Sequence, residues 1–168
     1  GQHYDVQMSD VFFQQLRIQT PDFFLNIPPQ NQVKQMAAIM SAMTDVCQEY
    51  QPHIVLVVGD VNSTFAAAFA AHRNGFKTAH IESGLRSGDR EMPEEINRIL
   101  TDEICDYFYI TEPSGLHHLK ATKKAEQLIY VGNTMIDTLV AFEKEISQSD
   151  ILTKLHVEEK KFTLVTLH

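Results

Sequence analysis

His53-Ile54-Val55-Leu56-Val57-Val58-Gly59-Asp60-Val61-Asn62-Ser63-Thr64, continuing through Phe65-Ala66-Ala67-Ala68-Phe69-Ala70-Ala71 to Gly75, decides the fold. An unbroken apolar run closed by Gly-Asp reads as a strand buried on both faces. The Ala-rich stretch Asn62 to Asn74 favours helix, and Gly75 just past it supplies a left-handed cap. Strand, Gly-polar turn, helix is thus the unit of this chain.

Working outward, the unit recurs. Lys77 to Glu82 is a second, more polar strand, and Pro93 opens a helix running to about Cys105, with Glu94 and Glu95 in its first turn. Asp106 to Ile110 and Leu128 to Val131 are further strands. Helices follow them, from Pro113 to about Ala121 and from the Gly132-Asn133-Thr134 turn to about Ile146. Strands alternating with helices mean right-handed βαβ units, so the expectation is an α/β fold, a parallel sheet with helices on both faces. Upstream, Asp5 to Leu16 and Gln30 to Tyr50 read as helices around an irregular, Pro-containing stretch from Thr20 to Pro29. Downstream, Phe162 to Leu167 reads as a new strand after the charged run Glu158 to Lys161. The expected division is therefore 1–157 for one domain and 158–168 for the start of another.

Composition narrows the function classes. The 168 residues suit one ordinary domain, and 43% of them are apolar, enough for a real core. Lys plus Arg number 14 against 22 Asp plus Glu, a formal charge of −8. Such a surface repels polyanions, so neither nucleic acid nor an anionic membrane is expected as a partner. No apolar run approaches the ~20 residues of a membrane span and no signal peptide opens the chain, which leads to a cytoplasmic expectation. Cys47 and Cys105 lie far apart without CxxC spacing and read as reduced thiols in helices. HExxH is absent, and His72, His117, His118 and His156 read as solvated helix positions, so no metal site is expected.

In open parallel sheets ligands bind beyond the C-terminal strand ends. This chain puts Gly59-Asp60, Glu82-Ser83-Gly84 and Gly132-Asn133-Thr134 there. The first turn is neither a Walker A loop nor GxGxxG, so neither ATP nor a nicotinamide nucleotide is indicated. Asp60 or Asn62 could equally serve as a helix cap. Glu82 closes a half-buried strand and needs a partner or a role, with Arg86 and Arg90 the near candidates. From His80 to Arg98, five acids and three arginines fall within nineteen residues. Helix electrostatics, with Glu94 pairing Arg98 at i,i+4, explains the helix start but not the charged, Gly-hinged loop before it.

Gly1-Gln2-His3, Gly59-Asp60-Val61-Asn62-Ser63-Thr64, His80-Ile81-Glu82-Ser83-Gly84-Leu85-Arg86, Met92-Pro93-Glu94-Glu95-Ile96-Asn97-Arg98 and Val131-Gly132-Asn133-Thr134-Met135-Ile136-Asp137 occur in this order. Together they resemble the bacterial non-hydrolysing UDP-N-acetylglucosamine 2-epimerases, and Val165-Thr166-Leu167-His168 is similar to the start of that family's later strand-and-His motif. Departures are small: Ser83 stands where Ala is common, and the loop before Pro93 is the shorter of two variants.

The resemblance implies half of a glycosyltransferase-B arrangement, two Rossmann-like domains facing across a cleft. It places an opening strand before Gly1 and the domain that holds uridine diphosphate beyond His168, so the 168-residue piece alone is expected to be inactive. It implies Asp60, Glu82, Glu94 and His168 as catalytic residues, and Gln2, His3, Ser63, Arg86, Arg98 and Asn133 as substrate contacts. It further implies a small-molecule UDP-sugar as partner, a homodimer, and no metal or nicotinamide cofactor. The chemistry explains the acids. The sugar's C2 proton has almost no acidity until the C1–O bond to UDP breaks, when C1 gains oxocarbenium character. Removing that proton and returning one on the other face requires groups on both sides of the ring, and negative charge near C1 helps. Two neighbouring chemistries fit similar acids: a hydrolysing epimerase that releases UDP and free N-acetylmannosamine, and a UDP-sugar glycosyltransferase of the same build. A binding or regulatory module is the non-enzymatic alternative.

Overall fold

Four parallel strands, β1 (Ile54–Val58), β2 (Lys77–Ile81), β3 (Tyr107–Ile110) and β4 (Leu128–Tyr130), lie side by side in chain order. The computed structural model describes residues 10–166. The crossovers are α3 (Asn62–Arg73), α4 (Pro93–Ile104) and α5 (Pro113–Leu119), the last followed by a 3-10 turn at Ala125–Gln127. Ahead of β1 stand α1 (Asp10–Gln15) and α2 (Gln32–Tyr50). The chain divides into two compact units, 1–132 and 133–168. The second carries α6 (Thr134–Ala141), α7 (Glu143–Ser147) and α8 (Ile151–Lys154).

One face of the sheet makes the core. Val55 and Val57 of β1 and Phe108 and Ile110 of β3 are buried with Cys47, Ala68, Ala71, Cys105 and Leu119. The small side chains of α3 let it seat between α2 and α4 while touching β1 and β2. On the other face Ala79 is fully covered, but Leu56 and Val58 are half exposed. The apolar run predicts burial on both faces. Among the described residues β1 has a strand beside it on one side only, β2, and fewer neighbours cover its second face. Burial pushes the Cys105 thiol up to about 12, and neither Cys47 nor Cys105 is in a disulfide.

Element boundaries follow the sequence closely for α2 to α5. Two stretches differ. The helix expected to run to Ile146 breaks at Phe142, so α6 and α7 are separate. The strand expected over Phe162–Leu167 is not a strand across 162–166, where no ladder partner is present among the described residues and Leu164 and Val165 are exposed. β-propensity without a neighbouring strand leaves backbone groups to water. Residue 167 of that stretch, and the part of the expected first helix before residue 10, lie outside the described residues. Among the described residues no helix is long and apolar enough to cross a membrane.

Candidate active site

Two turns at the C-terminal ends of neighbouring strands carry the first two expected acids. Asp60 follows β1 and Glu82 follows β2, strands paired from Ile54 opposite Lys77 to Val58 opposite Ile81. The Gly59 N–H donates to the Ile81 carbonyl (3.1 Å), which fastens one turn to the other. The Glu82 carboxylate lies against Gly59: a Cβ built there would sit 3.6 Å from the Glu82 Oε2, an ordinary contact distance. Glu82 itself adopts φ +68°, a left-handed conformation that costs a non-glycine residue about 1–2 kcal/mol. Its carboxylate, half buried, makes no hydrogen bond or ion pair with any described residue.

Helix α4 closes the rim. Arg98 pairs with the Asp60 carboxylate. The buried Asn97 amide donates to the Asp60 carbonyl (2.9 Å) and to Asn62 Oδ1 (3.0 Å). Neither Asp60 nor Asn62 caps α3, whose N-cap is Val61 with no side-chain hydrogen bond. Thr64 instead anchors that helix start, its hydroxyl donating to the Val58 carbonyl (2.7 Å). Glu94 stands in the first turn of α4, four residues before Arg98. The expected Glu94–Arg98 pair does not form, because Arg98 is drawn to Asp60 and lies 3.9 Å from Glu95. Glu94 therefore keeps a half-buried carboxylate with no hydrogen bond or ion pair to a described residue.

The loop between Glu82 and α4 is tied down by acids on the helix. Glu95 is 3% exposed and accepts from the Ser87 N–H (2.8 Å), the Ser87 hydroxyl (3.2 Å) and the Gly88 N–H (3.3 Å). Burial alone would raise its carboxyl, but those donors and the Arg86 charge outweigh it and hold Glu95 below the ordinary carboxylate value. Arg86 does not partner Glu82. Its guanidinium bonds Asp102 (2.7 Å) and the Leu85 carbonyl (2.7 Å). Asp102 is buried, accepts from the Gly84 N–H (3.1 Å), and lies 2.7 Å from Nδ1 of the fully buried His80. His80 Nε2 donates to the Gly59 carbonyl (2.8 Å). His118 is exposed on α5, as expected, and its Nδ1 also reaches the Gly84 carbonyl (2.8 Å).

Of the ten expected site residues, Asp60 and Glu82 lie on adjoining turns, Arg98 pairs with Asp60, Glu94 stands in the first turn of the same helix as Arg98, and Arg86 is turned to Asp102. Ser63 is exposed in the first turn of α3, next to Asn62. Asn133, in the second unit, caps α6 by accepting from the Met135 N–H (2.9 Å). Gln2, His3 and His168 lie outside the described residues. Sequence reasoning passed over the roles of Glu95, Asn97 and Asp102 and the burial of His80. A signal existed: Glu95, Arg98 and Asp102 recur at helical spacing, and α4 buries Glu95, Asn97, Thr101 and Asp102, so its inner stripe is polar where a core helix would be apolar. Among the described residues no group of three or more His, Cys, Asp or Glu side chains is placed to hold a metal ion.

Known proteins resemble this chain in sequence and in fold. The profile of the UDP-N-acetylglucosamine 2-epimerase family matches residues 1–168. A UDP-N-acetylglucosamine 2-epimerase homolog of Methanococcus maripaludis is 39% identical over 170 residues, covering 100% of this chain and 48% of that protein. The UDP-2,3-diacetamido-2,3-dideoxy-D-glucuronate 2-epimerase of Pseudomonas aeruginosa is 39% identical over 171 residues, covering 100% of this chain and 47% of that protein. The chain thus spans about half the length of these curated relatives. The crystal structure of the Methanocaldococcus jannaschii UDP-GlcNAc 2-epimerase in complex with UDP-GlcNAc and UDP superposes with a TM-score of 0.85 at 32% identity. That superposition covers 92% of this chain and 43% of the other, so the four-stranded sheet and its helices match the N-terminal part of such enzymes. Matched along its whole length by the family profile, the chain belongs to the UDP-N-acetylglucosamine 2-epimerase family.

Proposed function

We propose that the protein containing this chain interconverts UDP-N-acetylglucosamine and UDP-N-acetylmannosamine without releasing a free sugar. The observation that carries the reading is the rim itself: Asp60 and Glu82 end neighbouring strands, and Asp60 is paired with a residue of α4, the helix whose first turn holds Glu94. Three acids, two of them without partners among the described residues, suit a reaction that needs a base, an acid and a counter-charge around one ring.

In this reading the C1–O bond breaks with its electron pair leaving on the UDP phosphate oxygen. Asp60 or Glu94 takes the C2 proton, the C2–H pair becomes the C1=C2 bond of a bound glycal, and Glu82 stabilises positive charge at C1 or completes the proton relay. Re-addition of the UDP oxygen to C1, with a proton delivered to the other face of C2, gives the inverted sugar. Arg98 tempers the charge on Asp60, and Arg86 fixes the Glu82 turn through Asp102. His168 would assist the departing phosphate, with Gln2, His3, Ser63 and Asn133 as contacts to the nucleotide sugar. Residues 158–168 would open a second, UDP-holding domain, and the complete protein would be a homodimer.

A second substrate deserves a place beside the first. The equal 39% identity to an epimerase of UDP-2,3-diacetamido-2,3-dideoxy-D-glucuronate supports the same inversion at C2 on a sugar bearing a second acetamido group. Incubating the protein at its full natural length with each UDP-sugar, without acceptor, separates the readings. The epimerase reading predicts manno-configured product with deuterium at C2 in deuterated water and no UDP accumulating. UDP released in step with turnover would instead mark the hydrolysing type, and absence of product without an acceptor would mark a transferase.

A further inference from the structure

Beneath the two turns lies a polar pair for which the proposed proton transfers have no use. His80 sits inside β2, opposite Val57 of β1, and is 0% exposed. Asp102, on α4, is also 0% exposed. We propose that His80 and Asp102 are positioning residues that clamp the Gly59–Asp60 turn to the Glu82–Gly84 turn and so set the spacing of the Asp60 and Glu82 carboxylates. The kinetic consequence rests on the epimerase reading; the clamp itself does not.

Each polar atom of the pair is spent on a turn or on its partner. His80 Nε2 donates across the strand gap to the carbonyl of Gly59, the residue before Asp60 (2.8 Å). Nδ1 faces Asp102 Oδ1 (2.7 Å). The other carboxylate oxygen accepts from the Gly84 N–H (3.1 Å) and from Arg86 (2.7 Å). One continuous chain of hydrogen bonds therefore runs from the residue beside Asp60, through β2 and α4, to the turn that carries Glu82. Glu82 is held at φ +68°, a conformation that persists only where the surroundings over-determine it. Asp102 on the Gly84 N–H and His118 on the Gly84 carbonyl (2.8 Å) provide that constraint.

A purely space-filling role would not select this pair. Burying a charged or doubly hydrogen-bonded couple is often no more stabilising than an apolar couple of the same volume. What it adds is direction: the Gly59 carbonyl and the Gly84 N–H each receive a partner at a fixed angle. Displacing a catalytic group by about 1 Å can slow a reaction on the order of a hundredfold.

The test uses His80→Gln, His80→Leu and Asp102→Asn in the full-length protein, with kcat, KM and amide exchange read together. Gln retains a donor near the Nε2 position, Leu retains bulk alone, and Asn retains shape without charge. The expected result for Asp102→Asn and His80→Leu is a kcat lower by about a hundredfold with KM within about threefold. Faster exchange should appear at residues 59–62 and 82–86 together, and His80→Gln should recover part of the lost kcat. A kcat within about threefold of wild type in Asp102→Asn overturns the proposal, as does loosening of only one turn. If His80→Leu does not fold, Asp102→Asn and His80→Gln decide the matter. If the wild-type protein epimerises no UDP-sugar, the functional reading falls while exchange still judges the clamp: both turns loosened upholds it, both unchanged overturns it.

Discussion

The turn after β2 and the turn after β4 each join one glycine to polar residues, Glu82-Ser83-Gly84 against Gly132-Asn133-Thr134, yet they are built differently. The first is gripped by side chains from elsewhere: Asp102 on the Gly84 N–H, His118 on its carbonyl, and the Gly115 backbone packed against Gly84. The second finds its partner locally, with Asn133 accepting from the Met135 N–H to cap its own helix. A Gly-polar turn at a strand end thus marks a place where a site can be built. Whether buried polar groups converge beneath it decides whether its side chains are held to a fixed geometry.

The sharpest way to break that contrast is a pair of glycine substitutions. Gly84 and Gly132 share a left-handed backbone, φ +78° and +80°. A Cβ on Gly84 would meet the Gly115 carbonyl oxygen at 2.4 Å, whereas one on Gly132 meets nothing within 4 Å. Gly84→Ala should therefore cost about 3 kcal/mol or more, from strain plus a forced backbone shift, and Gly132→Ala about 1 kcal/mol from strain alone. Equal losses in denaturant titrations would show that the grip on Gly84 is not rigid.

An intermediate effect is expected at Glu95. Its carboxyl is held below the ordinary carboxylate value in the folded protein, so it binds fewer protons there than when unfolded. Its contribution is complete above the unfolded value of about 4.3 and disappears as pH falls through the lower native one. Protection of the Ser87 and Gly88 amides, taken relative to their intrinsic exchange rates, should fall on acidification below about pH 4, and Glu95→Gln should remove that dependence while loosening the loop by about 2 kcal/mol at neutral pH. The smallest effect belongs to the self-capped turn: Asn133→Ala should cost about 1 kcal/mol of local α6 stability, and Asn133→Asp, which keeps the acceptor, much less. Hydrogen exchange over α6 measures both.

Much of this was legible in the sequence because it depends on local chemistry. The unbroken run Ile54–Val58, the Ala-rich α3 and Pro93 at the first position of α4 each fix an element through propensity, burial or φ. The acids Asp60, Glu82 and Glu94 stood out by falling at strand and helix ends. Pairing did not read out, because it depends on which long side chain reaches which partner across the fold. Arg98 passes over Glu94 for Asp60, and Arg86 turns from Glu82 to Asp102. His80 was equally silent, since its two partners lie 21 and 22 residues away along the chain. The stretch after Glu158 failed for a related reason: β-branched residues make a strand only where another strand lies alongside.

The central claim, that Asp60, Glu82 and Glu94 together make removal of the C2 proton possible, is tested most directly by washout of deuterium from C2 of UDP-[2-2H]N-acetylglucosamine into water. Full-length wild type should release the label alongside epimerisation, and Asp60→Asn, Glu82→Gln and Glu94→Gln should each slow release by about a hundredfold or more while remaining folded. Wild-type washout rates in all three variants would contradict the account.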